Sequence, residues 1–218
     1  PKVRYGALHA DGASRYTEKA LNETFRRSLT SLRKWSRNST CDTKALEKEF
    51  YLHLSGEKDT FTLSGKIDRI DSCDDAVAIF DYKTGHTTAT LQEAVAGLKL
   101  QLLTYLLDVE EEGGGGLLPA ALMYIYLSGD VKSLPAVPPG GKPPLKDKEY
   151  TSGWILSDTD ILRRLDGAAG EEDSFLPVKL SGKGALTQTA STLSAEDFQN
   201  LLTIVKRKLL EIYHHMEK

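Results

Sequence analysis

From Tyr16 to Trp35 the positions Tyr16, Ala20, Leu21, Thr24, Phe25, Leu29, Leu32 and Trp35 recur every three or four residues without a proline. That spacing predicts a helix with one core-facing stripe in the first forty residues. Three strand-like runs follow. Phe50-Tyr51-Leu52-His53-Leu54 ends at Ser55-Gly56, and Thr60 to Asp71 alternates with Phe61, Leu63, Ile67 and Ile70 as its apolar side. Ala76-Val77-Ala78-Ile79-Phe80 is continuously apolar, the pattern of a strand buried on both faces. Between the last two runs, Ser72-Cys73-Asp74-Asp75 reads as a hairpin turn. Thr90 to Glu112 predicts one long helix, with a stripe of Leu91, Val95, Leu98, Leu102, Tyr105 and Leu106 and four glycines, 113–116, to end it.

Leu118 to Leu127 predicts a further buried strand, and Gly129 to Tyr150, with five of the eight prolines, a long loop. Trp154-Ile155-Leu156 is expected as an edge strand and Asp158 to Leu165 as a short helix capped by Ser157. Ser194 should cap a last helix, with Asp197 at its third position, running to about Met216. The order gives an α/β fold: a mixed central sheet flanked by helices, its second and third strands an antiparallel hairpin. One domain is expected over 1–218. It divides into a helical segment 1–40, a core 41–128, a Pro/Gly-rich loop 129–150 and a C-terminal helical part 151–218.

Composition narrows the classes. At 218 residues the chain buries a core without staples, and its net charge of −3 conceals an asymmetry. Residues 1–40 hold nine Lys/Arg against three Asp/Glu, whereas the remainder holds 19 against 28. Arg26, Arg27, Arg33, Lys34 and Arg37 gather toward a helix C-terminus, where cations suit the macrodipole. The apolar run Leu117–Leu127 is too short to span a bilayer, so no membrane contact is expected. No leader pattern opens the chain, and its first residue, Pro1, points to a piece of something longer. Two cysteines, Cys41 and Cys73, exclude a disulfide framework and a four-cysteine metal site. Free thiols in a reducing cytoplasm are the simpler expectation, a single bridge the alternative.

The candidate chemistry lies in Gly65-Lys66-Ile67-Asp68-Arg69-Ile70-Asp71, Ile79-Phe80-Asp81-Tyr82-Lys83-Thr84-Gly85 and Gln101-Leu102-Leu103-Thr104-Tyr105. Strand residues two apart share a face, so Asp81 and Lys83 project together, and a tight hairpin sets Asp68 beside Asp81. Two carboxylates suit Mg²⁺ or Mn²⁺, with the Tyr82 carbonyl as a further oxygen. A lysine beside them can orient a water and offset charge on a phosphate. Gln101 and Tyr105, four apart on a helix, share one face. No Gly-x-Ser-x-Gly elbow supports acyl transfer, and no Gly-x-x-x-x-Gly-Lys-Ser/Thr supports ATP use.

In this order, Gly-x-x-Asp-Arg-Ile-Asp, Asp-Tyr-Lys-Thr-Gly and Gln-x-x-x-Tyr resemble the RecB-type branch of the PD-(D/E)XK nucleases. The Gly97–Leu106 segment, Pro119-Ala120-Ala121 and Phe175-Leu176-Pro177-Val178 before a long last helix are similar to the B subunits of AddAB-type helicase–nucleases. The resemblance implies a restriction-endonuclease-like core and Mg²⁺-dependent DNA cleavage, exonucleolytic, in double-strand-break repair beside a helicase subunit. It makes Asp68 and Asp81 metal ligands, Lys83 the catalytic lysine, and Gln101 and Tyr105 supporting residues. Asp71 matches a recurrent acidic position but, three residues from Asp68, it faces away and is read as structural.

Three departures accompany the match. Gly6-Ala7-Leu8-His9 has the wrong spacing for the family's Gly-x-x-x-His, so His9 is read as an ordinary histidine. Cys41 and Cys73 match neither cysteine flank of an iron–sulfur cluster, so no cluster is expected in this chain. A helicase motif is absent. His214-His215 is read as a frayed helix end, His86 as a loop histidine, and Trp35 and Trp154 as core anchors. Lys179, Lys183, Lys206, Arg207 and Lys208 are candidate phosphate contacts. The competing reading is a catalytically silent nuclease fold kept for DNA binding or subunit contact, and a third is a free-standing nuclease.

Overall fold

The computed structural model describes residues 12–56, 60–84, 87–127, 151–171, 174–181, 184, 186–187 and 191–216. His9, His86, Lys183 and the 129–150 loop lie outside them. Helix α1 (Gly12–Asn38) leads into strands β1 (Asp42–Ser55), β2 (Thr60–Cys73) and β3 (Ala76–Lys83). Then come α2 (Leu91–Val95), α3 (Gln101–Glu112), β4 (Leu118–Tyr126), β5 (Thr151–Leu156), α4 (Thr159–Leu165), β6 (Thr192–Leu193) and α5 (Ala195–Met216). The sheet runs β1-β2-β3-β4-β5-β6. Neighbours are antiparallel from β1 to β3 and between β4 and β5. The β3–β4 and β5–β6 pairs are parallel. This is the expected mixed sheet, with β2 and β3 as its antiparallel hairpin.

Every residue from Ala76 to Asp81 is buried, as the continuous apolar run requires of a central strand. On the inner face of α1, Trp35 is 1% exposed and meets Phe80 edge-on at 4.8 Å. Phe175 stacks on the same indole at 4.8 Å, and Trp35 Nε1 donates to the Leu165 carbonyl at 2.8 Å. Arg69 lays its guanidinium 4.8 Å from the Trp35 ring and donates through Nε and Nη2 to the two oxygens of Asp71 at 2.7 and 2.8 Å. Asp71, 1% exposed, is therefore a structural anion as expected. Trp154 is likewise fully buried.

The structure corrects several expectations. The helix expected over Thr90–Glu112 is two helices, because the chain turns at Gly97 (φ 84) and Lys99 (φ 52), and Leu98 and Val95 are left exposed. Phe25 and Leu29, placed in the α1 stripe by spacing, are 51% and 63% exposed, so of the described stripe residues only Leu32 and Trp35 reach the core. Trp154–Leu156 is not at the edge, since β6 pairs with β5. The α4 cap is Asp158, whose side chain accepts from the Asp160 and Ile161 amides, rather than Ser157. The cysteines are not free thiols: β1 begins early enough to set Cys41 against Cys73, with Cα atoms 4.5 Å apart, and a disulfide joins them. Ser194 does cap α5, exchanging hydrogen bonds with Asp197 as a capping box.

Candidate active site

Each site residue is positioned by its element. Asp81 and Lys83 stand two apart at the C-terminal end of β3, and their side chains meet, Lys83 Nζ lying 2.6 Å from Asp81 Oδ2. Asp68 comes from β2 across the hairpin, where its Oδ2 accepts the Tyr82 backbone N–H at 2.8 Å. The Tyr82 main chain thus lies between the two acids. From the other side, Gln101 is the first residue of α3 and Tyr105 follows one turn later.

Gln101 organises the cluster. Its Oε1 accepts from Lys83 Nζ at 2.8 Å, while its Nε2 donates to Asp81 Oδ1 at 2.9 Å and to the Tyr105 hydroxyl at 2.6 Å. Reversing the amide would set NH₂ against the ammonium and oxygen against the carboxylate, so the neighbours fix its orientation. Tyr105 is held in turn by Phe50, which meets its ring edge-on at 5.3 Å. Phe50 needs Gly65: a Cβ there would come within 2.7 Å of Phe50 Cε1. The glycine three residues before Asp68 therefore acts through packing, from Phe50 to Tyr105 to Gln101.

Electrostatically the cluster is tense. Asp81 is 3% exposed, and burial pushes its carboxyl above the usual range, Lys83 pulling it down and Asp68 adding to the rise. Burial also raises the Tyr105 and Tyr124 phenols. Asp81 Oδ2 is buried with an ion-pair neighbour but without an aligned hydrogen-bond donor. A buried carboxylate oxygen in that condition fits a cation. Among the described residues no group of three or more His, Cys, Asp or Glu gathers, and the anionic groups of this cluster are Asp68 and Asp81. Two hard oxygens suit an ion that keeps several of its waters.

All five side chains singled out in the sequence therefore converge: Asp68, Asp81, Lys83, Gln101 and Tyr105. Other candidates do not join them. His214 and His215 are exposed in the last turn of α5. Lys206, Arg207 and Lys208 pair with Glu111 or Glu211. The sequence reading missed Tyr124, which pairs with Asp81 in the parallel β3–β4 register and carries Lys83 Nζ 5.3 Å above its ring. Alternation along Leu118–Leu127 held that signal, once β4 was paired with β3.

The chain is 31% identical over 173 residues to the B subunit of the ATP-dependent helicase/deoxyribonuclease from Alkaliphilus oremlandii, covering 75% of this chain and 15% of that protein. It is 30% identical over 230 residues to the same-named protein of Pelotomaculum thermopropionicum, covering 96% of this chain and 20% of that protein. The Carboxydothermus hydrogenoformans counterpart is 36% identical over 138 residues, 58% of this chain and 12% of that protein. The chain thus spans at most a fifth of these relatives. The family model of the PD-(D/E)XK nuclease superfamily matches residues 3–216. With its mixed sheet and a family model that covers nearly all of it, the chain belongs to the PD-(D/E)XK nuclease superfamily.

Proposed function

We propose that residues 1–218 form a single nuclease domain that hydrolyses DNA phosphodiester bonds with Mg²⁺ or Mn²⁺. The carrying observation is the buried Asp81 Oδ2 beside Asp68 and Lys83. Asp68 and Asp81, with the Tyr82 carbonyl, would hold the metal. When bound, it supplies Lewis-acid polarisation of a phosphoryl oxygen and acidifies water. Lys83 orients the attacking water and offsets the charge that builds on the phosphate. Gln101 holds both the lysine and Asp81 in register, and Tyr105 anchors Gln101 from the protein side.

The names of the relatives support a further step. This domain works beside a helicase subunit or domain, as the exonuclease of a repair complex in the cytoplasm, where its DNA substrate lies. No helix of the described residues is long and apolar enough to cross a membrane.

The test incubates linear single- and double-stranded DNA with the purified chain in Mg²⁺, Mn²⁺ or chelator. Asp68→Ala and Lys83→Ala variants, checked for folding by circular dichroism, run alongside. Metal-dependent degradation lost in both variants is expected. Cleavage that survives in either folded variant, or in chelator, overturns the assignment.

A further inference from the structure

We propose that Lys99 is a substrate-binding residue that grips a backbone phosphate of the nucleic-acid strand beside the bond to be cut. The inference rests on the nuclease reading and extends it to a position outside the Asp/Asp/Lys cluster.

The placement comes from two rungs between the same two segments. The inner rung joins Lys83, at the end of β3, to Gln101, at the start of α3, with Nζ to Oε1 at 2.8 Å. The outer rung joins Thr87, four residues after Lys83, to Lys99, two residues before Gln101, with Nζ to Oγ1 at 2.7 Å. Lys99 therefore stands next to the inner rung along both segments, with its own side chain exposed. Both partners of the outer rung are exposed or half-buried, whereas Asp81 at the inner end is buried.

Its charge is available. Lys48, Lys66, Lys206 and Lys208 each lie against a glutamate. Lys99 instead donates to a neutral hydroxyl, and no carboxylate of the described residues pairs with it. An ammonium has three donors, so two remain for phosphate oxygens. The backbone points the same way. Lys99 holds φ at 52, a left-handed conformation that glycine adopts freely and a long side chain adopts at a cost. The corner thus carries a cation at a position whose backbone favours none, next to residues that handle a phosphodiester.

Glycine is the informative substitution, because it removes the charge while suiting the backbone. A fluorescent single-stranded oligodeoxynucleotide is titrated in chelator, across a range of salt, with the full wild-type chain and the Lys99→Gly, Lys99→Arg and Lys66→Ala variants. The expected result is Lys99→Gly binding roughly 3- to 10-fold weaker, with the slope of log K against log salt shallower by about 0.7, one phosphate contact on a single strand. Lys99→Arg should recover the slope, and Lys66→Ala should match wild type. A wild type that binds, with Lys99→Gly equal to it in affinity and slope, overturns the role of Lys99 alone. A wild type that neither binds nor cleaves the strand overturns the nuclease reading, and this inference with it.

Discussion

Replacing Lys83 with alanine removes the cation from a carboxylate that stays buried. Asp81 is 3% exposed and lies 2.6 Å from the ammonium, with Gln101 as a further close polar contact. Breaking a buried pair from one side costs about 3–5 kcal/mol. The Lys83 side chain is 30% exposed, so solvent already screens the pair, and about 2–3 kcal/mol is expected here. For a chain of this size each kcal/mol moves Tm by roughly 2–4 °C, so Lys83→Ala should melt about 5–10 °C below wild type in chelator. Asp81→Asn is the decisive partner. It removes a charge that burial and Asp68 both disfavour, leaves Lys83 free to turn toward solvent, and should melt near wild type. The double variant should then recover most of the Lys83→Ala loss, a coupling of about 2 kcal/mol, read from thermal melts followed by circular dichroism. If Lys83→Ala melts within about 2 °C of wild type, the pair is not buried in the sense argued. If the double variant is no more stable than Lys83→Ala, the loss has another source.

Two further perturbations test structure remote from the site. Asp166 is 0% exposed and accepts from the Ala168, Phe175 and Leu176 amides and the Ser174 hydroxyl. Asp166→Ala orphans these donors and should cost about 3–5 kcal/mol by urea unfolding, whereas an unchanged midpoint would mean that water replaces the carboxylate. Asp108 is buried, and burial raises its pKa despite Lys48 at 3.5 Å. A raised carboxyl contributes stability that is complete below its unfolded pKa of about 3.9 and is lost as pH climbs through the folded value. Asp108→Asn should therefore gain stability relative to wild type as pH rises above about 4 in a series of melts, and a variant-minus-wild-type difference that stays constant or falls with rising pH refutes the sign.

The parts of the site carried by short-range geometry were legible in the sequence. Asp81 and Lys83 follow from strand alternation, Gln101 and Tyr105 from helical spacing, and Asp68 from the turn at Asp74–Asp75. What was not legible depends on contacts made elsewhere. A stripe of Leu91, Val95, Leu98 and Leu102 runs straight through the break between α2 and α3, because periodicity does not register two residues with positive φ; the lone signal was Gly97. Asp42 to Glu49 reads as polar, yet it is strand, since β1 lies at the sheet edge and needs only one neighbour. With β1 read as starting at Phe50, nothing set Cys41 opposite Cys73. At two residues, β6 is too short to leave any pattern.

The break that periodicity missed is what completes the site. A parallel pair such as β3–β4 cannot be closed by a hairpin and needs a crossover. One continuous helix from Thr90 would have left the end of β3 at a single angle. Two helices meeting at Gly97 and Lys99 instead start α3 at the end of β3, with Gln101 as its first residue between Lys83 and Asp81. Asp68 reaches the same end by the antiparallel route, through the β2–β3 hairpin. Among the described strands β3, β4 and β5 each have an antiparallel neighbour on one side and a parallel one on the other, and of these β3 alone carries an acid and a lysine at its end. The cluster forms where those two kinds of connection meet, so a change that straightens the α2–α3 corner should loosen Gln101 from the lysine before it disturbs either carboxylate.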